Sequence, residues 1–187
     1  MKIEIISCGE YGSEQGCLAA AFAKETKAYG YIRKGWLTNL GPCEKVKWLG
    51  VQELETDRIR DCAQRCIDEC DGILILKSGE LSKIEENIIS LNAEARPVYV
   101  YDYQKPDDPR CITTWMLTNS VTKLYVTGRN DQAGLDIFFK KSYALITHVI
   151  SDITEELLRK DLENLKKGVV IKPTPKPKAP DEGMSYV

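Results

Sequence analysis

The sequence has almost no net charge, no long hydrophobic run and a single histidine. Its 26 Lys and Arg residues nearly balance its 28 Asp and Glu residues, and a net charge of −2 provides no general attraction for nucleic acids or anionic membranes. No apolar run approaches the ~20 residues that cross a bilayer, and the first segment lacks the basic and apolar regions of a signal peptide. We therefore expect a cytoplasmic protein that binds neither nucleic acid nor membrane.

The seven cysteines lack the paired CxxC spacing of a structural zinc site, so we expect reduced thiols and no metal site. Cys62, Cys66 and Cys70 are four residues apart, which would place them along one stripe of a helix. That stripe has two interpretations. It is either a soft-metal or redox site, or a buried apolar face, because free cysteine is often buried. We favour the buried face.

Strand-like and helix-like segments alternate along the chain. The apolar run GILIL, residues 72–76, is typical of a strand buried on both faces of a parallel sheet. The alternation predicts an α/β fold, a Rossmann-like three-layer sandwich with a mostly parallel five-stranded sheet. A further short strand between Trp48 and Leu54 is left open. The five predicted strands lie in the segments KIEIIS, YGYIRKG, GILIL, PVYVYD and TKLYVTG.

The end of the chain differs in composition from the rest. Four prolines fall within eight residues, interspersed with lysines, and such a segment cannot bury enough surface to fold alone. We therefore predict a Rossmann-like ligand-binding domain, residues 1–168, and a flexible Pro/Lys-rich C-terminal tail, residues 169–187. The tail could dock on a protein partner in polyproline geometry or serve only as a solubilising extension. Its composition favours the extension.

Ligands of such folds bind at the carboxyl ends of the strands, where the topology switches direction. This rule selects one segment after each of four predicted strands. We expect these segments to converge in space. They are residues 8–14, 33–38, 77–82 and 128–134.

Four short motifs, ISCGEYGSEQGCL, IRKGWLTNLGP, CDGILILKSGELS and VTGRND, resemble those of the molybdenum-cofactor carrier family in order and rough separation. The resemblance extends from about Lys2 to Ile150. It implies a Rossmann-like fold of the group that also contains the Lonely-guy type phosphoribohydrolases. It further implies a molybdenum cofactor or a nucleotide as the ligand.

The same resemblance implies a set of ligand-binding residues, at positions that match or replace the family's motif residues. Half of them are glycines, where the absence of a side chain allows close approach of a ligand. Lys34 and Arg129 retain the capacity to bind one anionic or carbonyl group. The full predicted set is Gly9, Gly12, Lys34, Gly35, Trp36, Gly79, Glu80, Ser82, Gly128 and Arg129.

Departures from the family pattern weaken a phosphate site. Glu10 and Gln15 stand where the family has Gln and Arg, and Trp36 and Leu37 replace two arginines. Residues 83–85, Lys-Ile-Glu, replace a Gly-Gly-Thr element that grips phosphate in the related hydrolases. A carboxylate within a few ångströms costs a bound phosphate roughly 1 kcal/mol or more. We therefore expect a degraded phosphate site and a planar ligand of little negative charge.

Trp36 has two interpretations. Its ring could stack on such a ligand, bordered by Gly9, Gly12 and Gly79, because ligand sites are mostly apolar with a few polar groups. Alternatively, it packs as core beneath the loop between Trp36 and Asp57. The sequence slightly favours core packing.

Glu10, Glu14 and Glu80 are the candidate catalytic residues. They lie on loops that follow predicted strands or on the first turn of a helix, so a paired acid and base is geometrically possible. Alternatively, they are solvated loop residues, or Glu14 complements the helix N-terminus. We favour a protein that is not an enzyme.

Three functions remain open. The favoured one is non-catalytic binding of a nucleotide-like or pterin-like small molecule, in the manner of the carriers. The alternatives are a nucleotide-processing hydrolase of the Lonely-guy type, and an interaction or assembly protein with a vestigial pocket. Leu158, Leu162 and Leu165 recur on an otherwise charged helix. This stripe could either dock on the sheet or pack against a second copy of the chain, and we predict a homo-oligomer.

Overall fold

A computed structural model describes residues 2–167, and within that range the chain forms eight strands and five α-helices. The strands are β1 (Glu4–Ser7), β2 (Lys27–Ile32), β3 (Leu37–Thr38), β4 (Gly41–Pro42), β5 (Val51–Glu53), β6 (Gly72–Lys77), β7 (Val98–Asp102) and β8 (Lys123–Gly128). The helices are α1 (Ser13–Ala23), α2 (Ile59–Glu69), α3 (Lys83–Asn92), α4 (Arg110–Thr118) and α5 (Ile137–Lys166), with a 3₁₀ helix at Glu44–Leu49.

Six strands form one parallel sheet in the order β5-β2-β1-β8-β6-β7, and β3 pairs with β4 in a separate antiparallel hairpin. The α/β fold is confirmed, but the predicted number of five strands is wrong. The added edge strand is β5, which pairs with residues 30–32 of β2. With three residues, of which Gln52 and Glu53 are both exposed, β5 has no period-two pattern. Its extended conformation depends on pairing with β2.

Helices α2 and α3 cover one face of the sheet. Cys66 and Ile67 of α2 and Ile88 of α3 join Ile6 and Ile73 of the sheet in one buried cluster. Full burial of an isoleucine-sized side chain contributes about 1.5–3 kcal/mol, so this cluster is a main source of stability. It also forms the base of the space between the two helices.

The opposite face is covered by α1, α4 and α5. The rings of Tyr99 on β7 and Trp115 on α4 have centroids 5.5 Å apart. Helix α1 contacts β1, β2 and β8, and it also lies against α5. A Cβ atom on Gly16 would lie 2.4 Å from the carbonyl oxygen of Phe139, so this position on α1 needs glycine. Helices on both faces of one sheet confirm the three-layer arrangement.

The cysteine stripe belongs to the core. Cys62, Cys66 and Cys70 are all buried in the cluster beneath α2. Among residues 2–167, no group of three His, Cys, Asp or Glu side chains is placed to hold a metal ion. The three cysteines therefore form a buried face of the protein core.

The chain divides into two compact units between Thr154 and Glu155, within the range of helix α5. In the second unit, Leu158 and Leu162 are each 58% exposed, and Arg159 pairs with Glu156 at 2.7 Å. The side chain of Leu165 and the predicted tail, residues 169–187, lie outside the described residues. The homo-oligomer stays a prediction. None of the described helices is both long and apolar enough to cross a membrane.

Candidate functional site

The four segments that were expected to converge do meet at the carboxyl edge of the sheet. Arg33, after β2, lies 3.0 Å from Glu10, after β1. Gly12 forms an isolated bridge with Asn130, after β8, and the guanidinium of Arg129 donates to the backbone carbonyl of Glu80, after β6. The strand-end rule therefore located a real cluster of loops.

Gly12 allows the closest approach in this cluster. Its φ of 127° lies in a region that L side chains rarely adopt. A Cβ atom at this position would lie 2.6 Å from the amide nitrogen of Asp131 and 2.7 Å from the carbonyl oxygen of Arg129. Gly12 is therefore required by the contact between two loops of the protein itself.

The start of α1 is not a free phosphate cradle. The Ser13 amide donates to the carbonyl of Arg129 at 3.0 Å, and the Gln15 amide donates to the carbonyl of Glu10 at 3.2 Å. Phosphate binding at a helix N-terminus needs backbone N–H groups that are free to point at the anion. Here the protein's own carbonyl oxygens already accept from them.

Glu14 is a buried carboxyl at the same helix start, 4% exposed. Its Oε2 accepts from the Glu10 amide at 3.0 Å and its Oε1 from the Thr127 hydroxyl at 2.8 Å. Burial raises the pKa of Glu14 to about 8, and the negative charge of Glu10 adds to the shift. With this pKa, Glu14 is mainly neutral near pH 7 and does not repel an anion there.

Glu10 is the second buried carboxyl of the loop, 5% exposed. Burial raises the pKa of Glu10 above its usual value, while the adjacent Arg33 guanidinium opposes that shift. Its Oε1 accepts from Arg33 at 3.0 Å. Because Arg33 holds this carboxylate, the pair gives the loop little net charge.

The start of α3 contains a reciprocal capping box. The Ser82 hydroxyl accepts from the Glu85 amide at 3.3 Å, and the Glu85 carboxylate accepts from the Ser82 amide at 2.6 Å. Arg129 lies 3.7 Å from the same carboxylate. A buried side-chain anion thus occupies the place where a helix N-terminus and a cation would otherwise receive phosphate.

Three other predicted ligand residues, Lys34, Trp36 and Glu80, have separate surroundings. Lys34 is exposed and pairs with Glu55 at 2.7 Å, and Glu80 is exposed at the opposite end of the edge. Trp36 packs against the buried cluster of Leu18, Ile32, Val46 and Val51. The ammonium of Lys47 lies 4.5 Å from the centre of the Trp36 ring. This geometry agrees with the interpretation of Trp36 as core.

A cleft of about 340 Å³ opens between α2 and α3, above the carboxyl ends of β1 and β8. A volume in this range is typical of small-molecule sites. Glu14 and Thr127 lie at its inner end together with Cys8 and Tyr125, and polar side chains of α2 and α3 lie at its sides. Its apolar walls are Ile59, Ala63, Ile67, Ile84, Ile88 and Leu91.

Sequence reasoning missed the walls of this cleft. Residues 59, 63 and 67 on α2 and residues 84, 88 and 91 on α3 follow helical apolar spacing, which is the ordinary signature of core. Ile84 and Leu91 are nevertheless 64% and 80% exposed. The spacing identifies an apolar face, but it does not show that part of this face stays uncovered.

A model of the circularly permutated YpsA SLOG family matches residues 5–150. The chain belongs to this family. A comparison with curated proteins gives no match. The crystal structure of the "Putative molybdenum carrier protein" of Syntrophus aciditrophicus SB shares the fold, with a TM-score of 0.65 and 21% sequence identity. The alignment covers 80% of this chain and 94% of that one. The resemblance stated from the motifs is thus confirmed for the family and the fold.

Proposed function

We propose that this SLOG protein is a non-catalytic small-molecule binder that holds a planar ring of little negative charge between α2 and α3. The observation that supports this most directly is the cleft itself, which has apolar walls and a single carboxyl, Glu14, among its lining residues. Burial holds that carboxyl mainly neutral near pH 7. A neutral ring can therefore enter without facing an unpaired charge at the inner end.

The two helix starts at the carboxyl edge support a ligand without phosphate. The Ser13 and Gln15 amides of α1 donate to backbone carbonyls, and the start of α3 is occupied by Glu85. A phosphate at α3 would have to displace the Glu85 carboxylate from both Ser82 and Arg129. The proposed site is therefore degraded for phosphate while its apolar part is intact.

The placement of the candidate catalytic residues also supports binding without turnover. Glu10 is held by Arg33, Glu14 lies inside the cleft, and Glu80 is exposed. A paired acid and base must both lie within hydrogen-bond reach of the same bound substrate. Glu80 does not line the cleft, so it gives Glu14 no such partner there.

The related structure is named as a molybdenum carrier. A pterin ring without its phosphate belongs to the ligand class proposed here, as does a nucleobase. The intact phosphorylated cofactor does not, because its phosphate would need a helix start, and Glu85 occupies the start of α3. We therefore expect this chain to bind the uncharged ring but not the whole phosphorylated cofactor, unlike a carrier of that cofactor.

The test is calorimetric titration with pterin, nucleobases and their phosphorylated forms, at low and high salt. We expect the uncharged rings to bind, with affinity that changes little with ionic strength. Ala63→Trp fills the cleft and should abolish binding, whereas Ala144→Trp on the exposed surface of α5 should not. Binding only of phosphorylated compounds, weakened by salt and unaffected by Ala63→Trp, would contradict the proposal.

A second experiment tests whether the Glu85 carboxylate blocks an anion site at the start of α3. Glu85→Ala should uncover the start of α3 and Arg129, and we expect it to gain at least about tenfold in affinity for inorganic phosphate. Glu86→Ala removes an exposed carboxylate from the same turn and serves as the matched control. Equal phosphate affinity in the wild type and both variants would show that Glu85 does not block an anion site.

A further inference from the structure

The inner end of the cleft contains a hydrogen-bonded pair, Thr127 and Glu14. The Thr127 hydroxyl and Glu14 Oε1 are 2.8 Å apart, and both residues line the cleft. The other carboxyl oxygen of Glu14 is occupied by the Glu10 amide. The direction of the Thr127 bond therefore depends on whether Glu14 has a proton on Oε1.

The two directions of this hydrogen bond leave different groups of the Thr127 hydroxyl available to a ligand. When Glu14 is ionised, Thr127 must donate to it, and only the lone pairs of the hydroxyl remain for a ligand. When Glu14 is protonated, the carboxyl can donate to Thr127, and the Thr127 proton is free to point into the cleft. A hydroxyl next to a neutral carboxyl is then a donor in an apolar site, where an unpaired acceptor would be costly.

We infer that Glu14 and Thr127 form the recognition element of the cleft, and that they select a neutral planar ring that presents a carbonyl oxygen or ring nitrogen to Thr127. This inference rests on the proposed function and names the ligand chemistry that its site accepts. It also assigns Glu14 a role that differs from catalysis. Glu14 is a positioning residue, because it acts through the direction of the Thr127 hydrogen bond.

The surroundings of Glu14 keep its proton in place. The titratable groups around it are Cys8 and Glu10 on the loop after β1, Cys17 on α1, Tyr125 on β8 and Cys66 on α2. The pKa of Cys8, Cys17 and Tyr125 is raised well above the usual value, so they add no negative charge near pH 7.

The charged side chains nearby lie further out. Arg33 is engaged by Glu10, and Arg60 lines the cleft from the exposed side of α2. Glu85 of α3 is held at its own helix start. No positive charge is thus paired with Glu14 among the described residues, which leaves burial as the main influence on its proton.

The test compares two probes of similar size. 1-Methyl-2-quinolone has a carbonyl acceptor and no group that ionises near neutral pH, whereas 1-methylnaphthalene has no acceptor. We expect the quinolone to bind about thirtyfold more weakly at pH 9.5 than at pH 6.5, because only the protonated form of Glu14 is competent. Binding of the naphthalene should weaken far less over the same range, because it makes no hydrogen bond with Thr127.

Three variants separate recognition from folding. Glu14→Gln, whose amide can donate permanently to Thr127, should bind the quinolone with no pH dependence. Thr127→Val should weaken quinolone binding about tenfold at pH 6.5 and leave naphthalene binding unchanged. Thr114→Val, on the exposed surface of α4, is the matched control and should change neither.

Equal pH dependence for the two probes, or a pH dependence that persists in Glu14→Gln, would overturn the inference while leaving the cleft as a binding site. Failure of both probes to bind the folded wild type, or binding that survives Ala63→Trp, would overturn the proposed function itself. The two failures therefore give different results.

Discussion

The guanidinium of Arg33 lies 3.0 Å from the carboxylate of Glu10, with side-chain exposures of only 18% and 6%. The pair joins the loops after β2 and β1. Arg33→Met would leave Glu10 buried without its partner, and we expect a loss of about 3 kcal/mol in the free energy of unfolding at pH 7. Urea denaturation measures this loss.

The double variant Arg33→Met, Glu10→Gln provides the control for this pair. Removing both charges should lower the free energy of unfolding less than Arg33→Met alone does, because no buried carboxylate is left unpaired. The cost of Arg33→Met should also shrink as the pH falls and Glu10 takes up a proton. If the loss of stability in the double variant equals the sum of the losses in Arg33→Met and Glu10→Gln, the two side chains are not coupled.

Glu14 should make stability depend on pH. Its folded pKa of about 8 exceeds the ordinary value of 4.5, so between these pH values the folded state holds a proton that the unfolded state has lost. The free energy of unfolding therefore falls as the pH rises from about 4.5 to about 8, by on the order of 4 kcal/mol. Urea denaturation across this range measures the slope.

The matched variant for this prediction is Glu14→Gln, which cannot ionise. Its free energy of unfolding should lack the Glu14 contribution to the slope and should exceed that of the wild type at pH 9. Parallel pH profiles for the two proteins would show that Glu14 titrates normally in the folded state.

Gly12 and Gly35 were both predicted ligand contacts, but the structure gives them different surroundings. Gly12→Ala would push a Cβ atom to 2.6 Å from the Asp131 backbone, and we expect a loss of at least about 3 kcal/mol. A Cβ atom on Gly35 would meet nothing within 4 Å, so Gly35→Ala should cost only about 1 kcal/mol for its positive φ. Thermal unfolding followed by circular dichroism compares the two.

The cysteines should differ in their reactivity. Cys111 is exposed and Cys43 half-buried, whereas the other five cysteines are buried. Burial also raises the pKa of Cys62 to about 12 and that of Cys70 to about 11, which keeps the reactive thiolate scarce. Mass spectrometry after treatment with iodoacetamide should show at most two modified thiols in the folded protein and seven in urea. Rapid modification of Cys66 in folded protein would contradict its burial.

Much of the fold could be predicted because its causes are local. Five of the six sheet strands have enough apolar or alternating residues to be recognised, and the order of helices and strands then restricts the topology. Strand β5 could not be recognised from such a local pattern. Its residues Val51 to Glu53 become a strand only through their pairing with β2, which is a tertiary contact.

The candidate site was predicted only in part. The strand-end rule correctly brought together the loops that contain Glu10, Arg33, Glu80 and Arg129. It assigned the ligand to those loops, and it did not point to the cleft that lies beside them, between α2 and α3. Trp36 shows the same limit, because the residues it packs against come from several different segments of the chain.

The layered α/β architecture and the edge where the loops meet follow from the sequence, because apolar periodicity and strand direction are encoded over short stretches of chain. The cleft and the protonation of Glu14 arise from the packing of segments that are distant along the chain. The cleft exists because α2 and α3 leave their facing apolar side chains partly uncovered. Glu14 keeps its proton because folding buries it next to Glu10 and against Thr127, which is 113 residues away along the chain. Burial of this kind depends on the distance between groups in space, which no local pattern records.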